Sequence, residues 1–166
     1  MPQYVKHDLW DLKDKLKIHA CITINGFVKK NGEAVMGRGC AYEASQKYPG
    51  LTFKVGSILM QEGDPHVNII NSDLIMFPVK PRFRLISSLD EVVPHQRHKY
   101  KIGDRVPGFA CIADIDIIEQ SCVELKELNI PAILPFPGIG YGFLDAAKVK
   151  EILDKHLSNK IVVVYR

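Results

Sequence analysis

Two short segments of the chain concentrate residues that could hold a phosphate. The first runs from Gly32 to Gly39 and contains Met36-Gly37-Arg38-Gly39. The second reads Pro137-Gly138-Ile139-Gly140-Tyr141-Gly142-Phe143. Each follows an apolar stretch and leads into a helical pattern. A helix N-terminus carries unpaired N–H groups and the positive end of the peptide dipoles. Glycine lets backbone amides approach phosphate oxygens with no Cβ in the way. Two such loops facing each other could clamp a diphosphate, with Ile139 or Tyr141 as an apolar cover. A tight connection is the plainer reading of either loop alone. The first loop lacks the Lys-Ser/Thr of a Walker A motif, and the second lacks the G-x-G-x-x-G spacing, which disfavours a P-loop NTPase and a Rossmann dehydrogenase.

The surrounding pattern says what must position these loops. Gln3–Lys6 reads as a first strand and Asp8–Lys17 as a charged turn of helix. Ile18–Ile24 reads as an apolar strand ending at Asn25-Gly26, with Asn31-Gly32 a turn further on. Ala41, Ala44 and Tyr48 share one face of a helix over Cys40–Tyr48, which Pro49-Gly50 stops. Ser57–Gln61 and Val67–Asn71 are expected to be strands joined by a polar turn at Gly63-Asp64, and Asp73–Val79 a third strand. Ile115, Ile118, Cys122 and Leu125 predict a helix over Ala113–Leu128. Pro131–Phe136 and Ile161–Tyr165 read as buried strands, with a helix over Asp145–Leu157 between them. Strands alternating with helices, the late ones continuously apolar, imply a mainly parallel or mixed sheet covered on both faces. Residues 81–109 have little periodicity and are expected to form a long excursion or lid.

The chain has 166 residues, one domain's worth over 1–166, with 46% hydrophobic and 25% charged residues. A net charge of +3 and a pI near 8.6 suit a small anionic ligand better than a dedicated nucleic-acid binder. Cys21, Cys40, Cys111 and Cys122 form no C-x-x-C pair and are expected to be buried, reduced thiols. His95-x2-His98 has no second ligand pair, so no metal is expected. The polar start after Met1 and the lack of a long apolar run predict neither a secretory signal nor a membrane span, and a cytoplasmic monomer is expected.

Four segments together resemble the macrodomain family. ITINGFVKKNGEAVMGRGCAYEASQKYPG resembles its first ligand loop and helix, in the branch whose loop reads M-G-x-G-[IC]-A. That branch occurs in bacterial and phage proteins and in ADP-ribosyl-glutamate hydrolases. ILPFPGIGYGFLDAAKVKEIL resembles the second phosphate loop. YVKHDLWDL resembles the opening G-D-[IL], with His7 in place of Gly, and VNIINSDLIMFPVKP resembles a strand leading to a lysine. The resemblance implies a three-layer α/β/α fold around a mixed, mainly parallel sheet of about six strands, and ADP-ribose as ligand. It implies that Asp8 and the Leu9 amide meet the adenine and that Asn25 meets the distal ribose. Gly37, Arg38 and Gly39 would lie beside the distal ribose and diphosphate. Gly138, Ile139, Gly140, Tyr141 and Gly142 would wrap the diphosphate. A turn carboxylate and a turn amide are the plainer roles for Asp8 and Asn25.

Some enzymes of the branch attack the anomeric carbon of the distal ribose with a lysine, and Lys80 matches that position. A lysine nucleophile must lose its proton, through burial or a cationic neighbour. Arg82 and Arg84 are its neighbours in sequence. The family's acidic partner would fall on Gly142. Asp145, three residues later, is a candidate for that role and equally for a helix N-cap. The resemblance thus implies a glycohydrolase removing ADP-ribose from a protein or nucleic-acid acceptor, without a cofactor. A non-catalytic binder of ADP-ribose or a related nucleotide signal, and an ADP-ribose 1″-phosphate phosphatase, are the alternatives.

Overall fold

The computed structural model describes residues 1–166. Six strands form one sheet: β1 (Gln3–Lys6), β2 (His19–Ile24), β3 (Asn68–Ile69), β4 (Leu74–Pro78), β7 (Ala132–Pro135) and β8 (Ile161–Tyr165). Their order is β1-β8-β7-β2-β4-β3. All neighbours are parallel except the short β3, which runs antiparallel to β4. The strands β2, β4 and β7 are largely buried because helices cover both faces.

One face carries α1 (Leu9–Leu16), α2 (Gly39–Lys47) and α3 (Leu51–Glu62). Their Leu9, Trp10, Leu12, Ala41, Ala44, Leu51, Val55 and Leu59 form one core with Ile22, Leu74 and Met76. The other face carries α4 (Ile115–Leu128) and α5 (Ala146–His156). Ile118, Cys122, Leu125, Val149 and Leu153 pack there on Cys21, Ile75, Phe77 and Leu134. Successive strand residues alternate between these two cores, as the period of two requires. All four cysteines are free; Cys21, Cys111 and Cys122 are buried and Cys40 is half-buried. No helix is long and apolar enough to cross a membrane.

Three elements differ from the sequence reading. The charged segment after Asp8 is a complete helix, α1, because both its ends are satisfied. Asp8 Oδ1 accepts from the N–H groups of Trp10 and Asp11, and Lys17 closes it in the left-handed region. Ser57–Gln61, expected as a strand, belongs to α3. Leu51, Val55 and Leu59 are buried at helical i, i+4, i+8 spacing. A strand reading saw only the apolar end of that pattern. Gly56 lies on the same buried face, where a Cβ would collide with the Gly32 carbonyl of the first loop. The expected strand at Val67–Asn71 shrinks to the two residues of β3.

The excursion has structure of its own. β5 (Phe83–Leu85) and β6 (Arg105–Pro107) form an antiparallel pair, flanked by three short 3-10 turns. Ile86, Val92, Val106, Ala110 and Cys111 make a third, small core. The excursion is fastened to the body at several points. The Arg84 guanidinium lies 2.6 Å from Asp114, the α4 N-cap. The Gly26 N–H donates to Pro81 O at 3.1 Å. Phe27 meets both Phe83 and Phe109 edge-on, at centroid distances of 5.4 and 5.2 Å.

Candidate functional site: a cleft at the carboxyl ends of the strands

A cleft of about 510 Å³ opens beyond the carboxyl ends of the parallel strands, within the range of small-ligand sites. Ile24, Val79, Pro135 and Val164, at or just past the ends of β2, β4, β7 and β8, form part of its floor. β2 and β7 are adjacent, yet β2 leads to α2 on one face and β7 to α5 on the other. The connections therefore diverge and leave a crevice between them, which is where open α/β sheets bind ligands.

The two glycine loops line this crevice from opposite sides. Of the first loop only the later part does so, Val35 to Gly39, followed by Cys40 and Ala41 of α2. Gly32 instead packs behind, against α3. The N-terminus of α2 has no side-chain cap, so its first-turn N–H groups stand at the cleft. Asn25 ties the two ends of the first loop's approach together. Its Nδ2 donates to Val35 O and its Oδ1 accepts from Phe27 N, both at 3.0 Å.

The second loop is a 3-10 turn over Gly140–Gly142. Within it the N–H groups of Gly142, Phe143 and Leu144 bond back to Ile139, Gly140 and Gly138 carbonyls. Those of residues 138–141 meet no backbone acceptor. A run of free amides along a groove is an anion cradle. The loop is pinned from behind, where Ala113 N donates to Gly142 O at 2.9 Å. A Cβ on Gly142 would lie 2.8 Å from the Ala113 Cβ, so the buried face of this position has no room for a side chain.

Lys80 stands between the loops, half-buried. Its Nζ donates to Tyr141 O at 3.0 Å. Burial is the main cause that brings its pKa down to about 8; the Arg38 charge adds to this, while Cys111 opposes it. Arg38 lies across the opening, its guanidinium 4.7 Å from the Tyr141 ring centroid and its Nη2 3.4 Å from His95 Nε2. Three segments thus meet over the cleft: the first loop, the second loop and the excursion.

Solved structures match this architecture along its whole length. The macrodomain of Mycobacterium tuberculosis DarG covers 100% of this chain and 98% of its own, with a TM-score of 0.65 and 18% identity. The fold is that of a macrodomain. The macrodomain of Thermus aquaticus DarG agrees, with a TM-score of 0.64 at 18% identity. Thermosipho africanus DarTG, solved in complex with ADP-ribose, matches 97% of this chain at 14% identity and a TM-score of 0.57; the match spans 52% of that longer protein. No protein-family model matches the chain, and no curated protein resembles it in sequence.

Within this macrodomain fold most of the residues expected at the site come together. Leu9, Asn25, Gly37, Arg38, Gly39, Lys80 and Gly138 to Gly142 all line the cleft. Two carboxylates do not. Asp145 caps α5, accepting from Ala147 N at 3.0 Å, and is exposed away from the cleft. The cap alternative is the one the geometry shows, and Lys80 and Asp145 are not brought together. Asp8 caps α1 with one oxygen and receives Arg166 at 3.0 Å on the other, outside the main cleft. The arginines expected to bear on Lys80 are also engaged elsewhere. Arg84 pairs with Asp114, and Arg82 turns to Met60 and Phe83. Arg38, distant in sequence, acts on Lys80 instead.

Other residues line the cleft that the sequence did not assign to it. Val93, His95, Gln96 and Phe109 come from the excursion. Glu43, Tyr165 and Arg166 line the opposite end, near His7 and Leu9. Glu43 is the only carboxylate among the lining residues, and it is held by Trp10 at 3.4 Å and Arg166 at 3.5 Å.

Proposed function

We propose that this protein binds ADP-ribose in the cleft and uses Lys80 to release it from an acceptor. The adenosine lies at the end formed by His7, Leu9, Glu43 and Arg166. The diphosphate is held by the free amides of the second loop and the N-terminus of α2. The terminal ribose lies at Lys80. The observation that carries this reading is the half-buried lysine, its amine lowered to a pKa of about 8, between two loops of backbone donors. An unprotonated Lys80 amine forms a bond to the anomeric carbon as the bond from that carbon to the acceptor breaks. The acceptor leaves with the electron pair and takes up the proton the amine gives up. Water then cleaves the new nitrogen–carbon bond and regenerates the amine.

The acceptor is a protein or a nucleic acid. Residues 81–109 carry six basic and three acidic side chains, an excess equal to the whole +3 of the chain, and this favours an anionic acceptor surface. The lack of a carboxylate beside Lys80 supports a second reading, in which the protein binds ADP-ribose without turnover.

Calorimetric titration with ADP-ribose tests the first step, and incubation with ADP-ribosylated protein and nucleic acid tests the second. Binding and release by the unaltered protein, with release abolished and binding kept in Lys80→Ala, is the expected result. Equal release by both proteins would refute a role for the amine. Binding without release on any acceptor would leave the binder reading.

A further inference from the structure

The cleft contains one buried side-chain polar atom for which the chain itself has no partner. Gln96 Oε1 is buried without a hydrogen-bond donor. Burying an amide oxygen unpaired is unfavourable, and native proteins leave few such groups without a reason. Gln96 lines the cleft, in the 3-10 turn Pro94–Lys99 at the tip of the excursion.

The backbone of this turn is held firmly. Gln96 N donates to Val93 O at 2.9 Å, and Val93 N donates to Ala110 O at 2.8 Å. The next residue, Arg97, donates from Nε to both Leu89 O and Val92 O at 3.1 Å. The preceding residue, His95, contacts Arg38, which in turn lies over Tyr141, the residue whose carbonyl receives Lys80. Through His95, the turn that carries Gln96 is tied to the side of the cleft where Arg38, Tyr141 and Lys80 meet.

We infer that Gln96 recognises a hydroxyl of the terminal ribose and makes the site select ADP-ribose over ADP. A hydroxyl both donates and accepts, so it satisfies the side-chain amide in either orientation. A ligand that ends at the diphosphate brings nothing to this position and leaves the oxygen unpaired. Sites built to hydrogen-bond a ligand hydroxyl discriminate strongly for this reason. The inference rests on the orientation proposed for ADP-ribose above.

The test is titration of ADP-ribose and of ADP into the unaltered protein, Gln96→Met and Gln96→Glu. Methionine keeps the length and removes the polar atoms; glutamate keeps an acceptor oxygen at the same reach. In Gln96→Met, ADP-ribose affinity is expected to fall roughly three- to tenfold, while ADP affinity stays the same. In Gln96→Glu, the ratio of the two affinities is expected to stay near that of the unaltered protein. Equal loss for both ligands in Gln96→Met, no loss for either, or the same loss of preference in both variants would overturn the role of Gln96. Failure of the unaltered protein to bind ADP-ribose at all would overturn the proposed function and the inference with it.

Discussion

The chemistry proposed for Lys80 rests on how readily its amine loses a proton, and this can be measured without any substrate. A lysine amine with a pKa of about 8 is roughly 9% unprotonated at pH 7, against less than about 0.1% for an ordinary lysine near 10.4. The free-amine population of Lys80 thus exceeds that of a surface lysine by roughly two orders of magnitude. Labelling with trace acetic anhydride over pH 6–11, read peptide by peptide by mass spectrometry, follows each amine separately. Lys80 is expected to reach half its limiting rate near pH 8 and surface lysines only above pH 10. Burial is the larger cause and Arg38 a smaller one, so Arg38→Gln should move the Lys80 midpoint upward yet leave it well below the surface lysines. A midpoint near 10 in the unaltered protein, with Lys80 as accessible as its neighbours, would refute the argument from burial.

The same shift has a consequence for stability. The folded pKa lies below the unfolded one, so between about pH 8 and 10.5 the unfolded chain binds more protons, and stability rises with pH across that window. Lys80→Met removes the cost of a buried ammonium. It should therefore raise the melting temperature most at pH 7 and progressively less as the pH approaches 10.5. Asp145→Ala should cost about 1 kcal/mol through loss of the α5 cap and leave ADP-ribose affinity unchanged, as denaturant titration and calorimetry would show. Asp8→Ala removes the α1 cap and frees Arg166; a loss of about 0.5–2 kcal/mol is expected, with any effect on ADP-ribose confined to the adenosine end and so equal for ADP. Gly142→Asp, which places an acid in the second loop next to Tyr141, brings its Cβ against Ala113 and should destabilise the protein by about 1–3 kcal/mol. Gain of turnover in that variant with stability intact would show that the loop has more room than its packing indicates.

Local chemistry made much of this protein legible. A short run of β-branched residues such as Ile161–Val164 favours a strand, and it forms β8, paired on both sides within the sheet. Glycines placed between a strand and a helix marked both loops of the cleft, because backbone approach to an anion needs residues without a Cβ. Capping chemistry was equally local, and Asp145, offered by the sequence as an N-cap, begins α5. What the sequence hid were relations between distant segments. The apolar end of α3 looks like a strand until the burial of Leu51, Val55 and Leu59 on one face is known. Nothing near Lys80 in the chain identifies Arg38 as its charged neighbour, because a separation of 42 positions closes only when the two loops meet at the top of the sheet. The excursion has no periodic pattern because its small core is assembled from short turns. Only folding brings Gln96 and Phe109 to the cleft, since the contacts that fasten the excursion there, from Gly26, Phe27 and Asp114, come from the body of the domain rather than from the excursion itself.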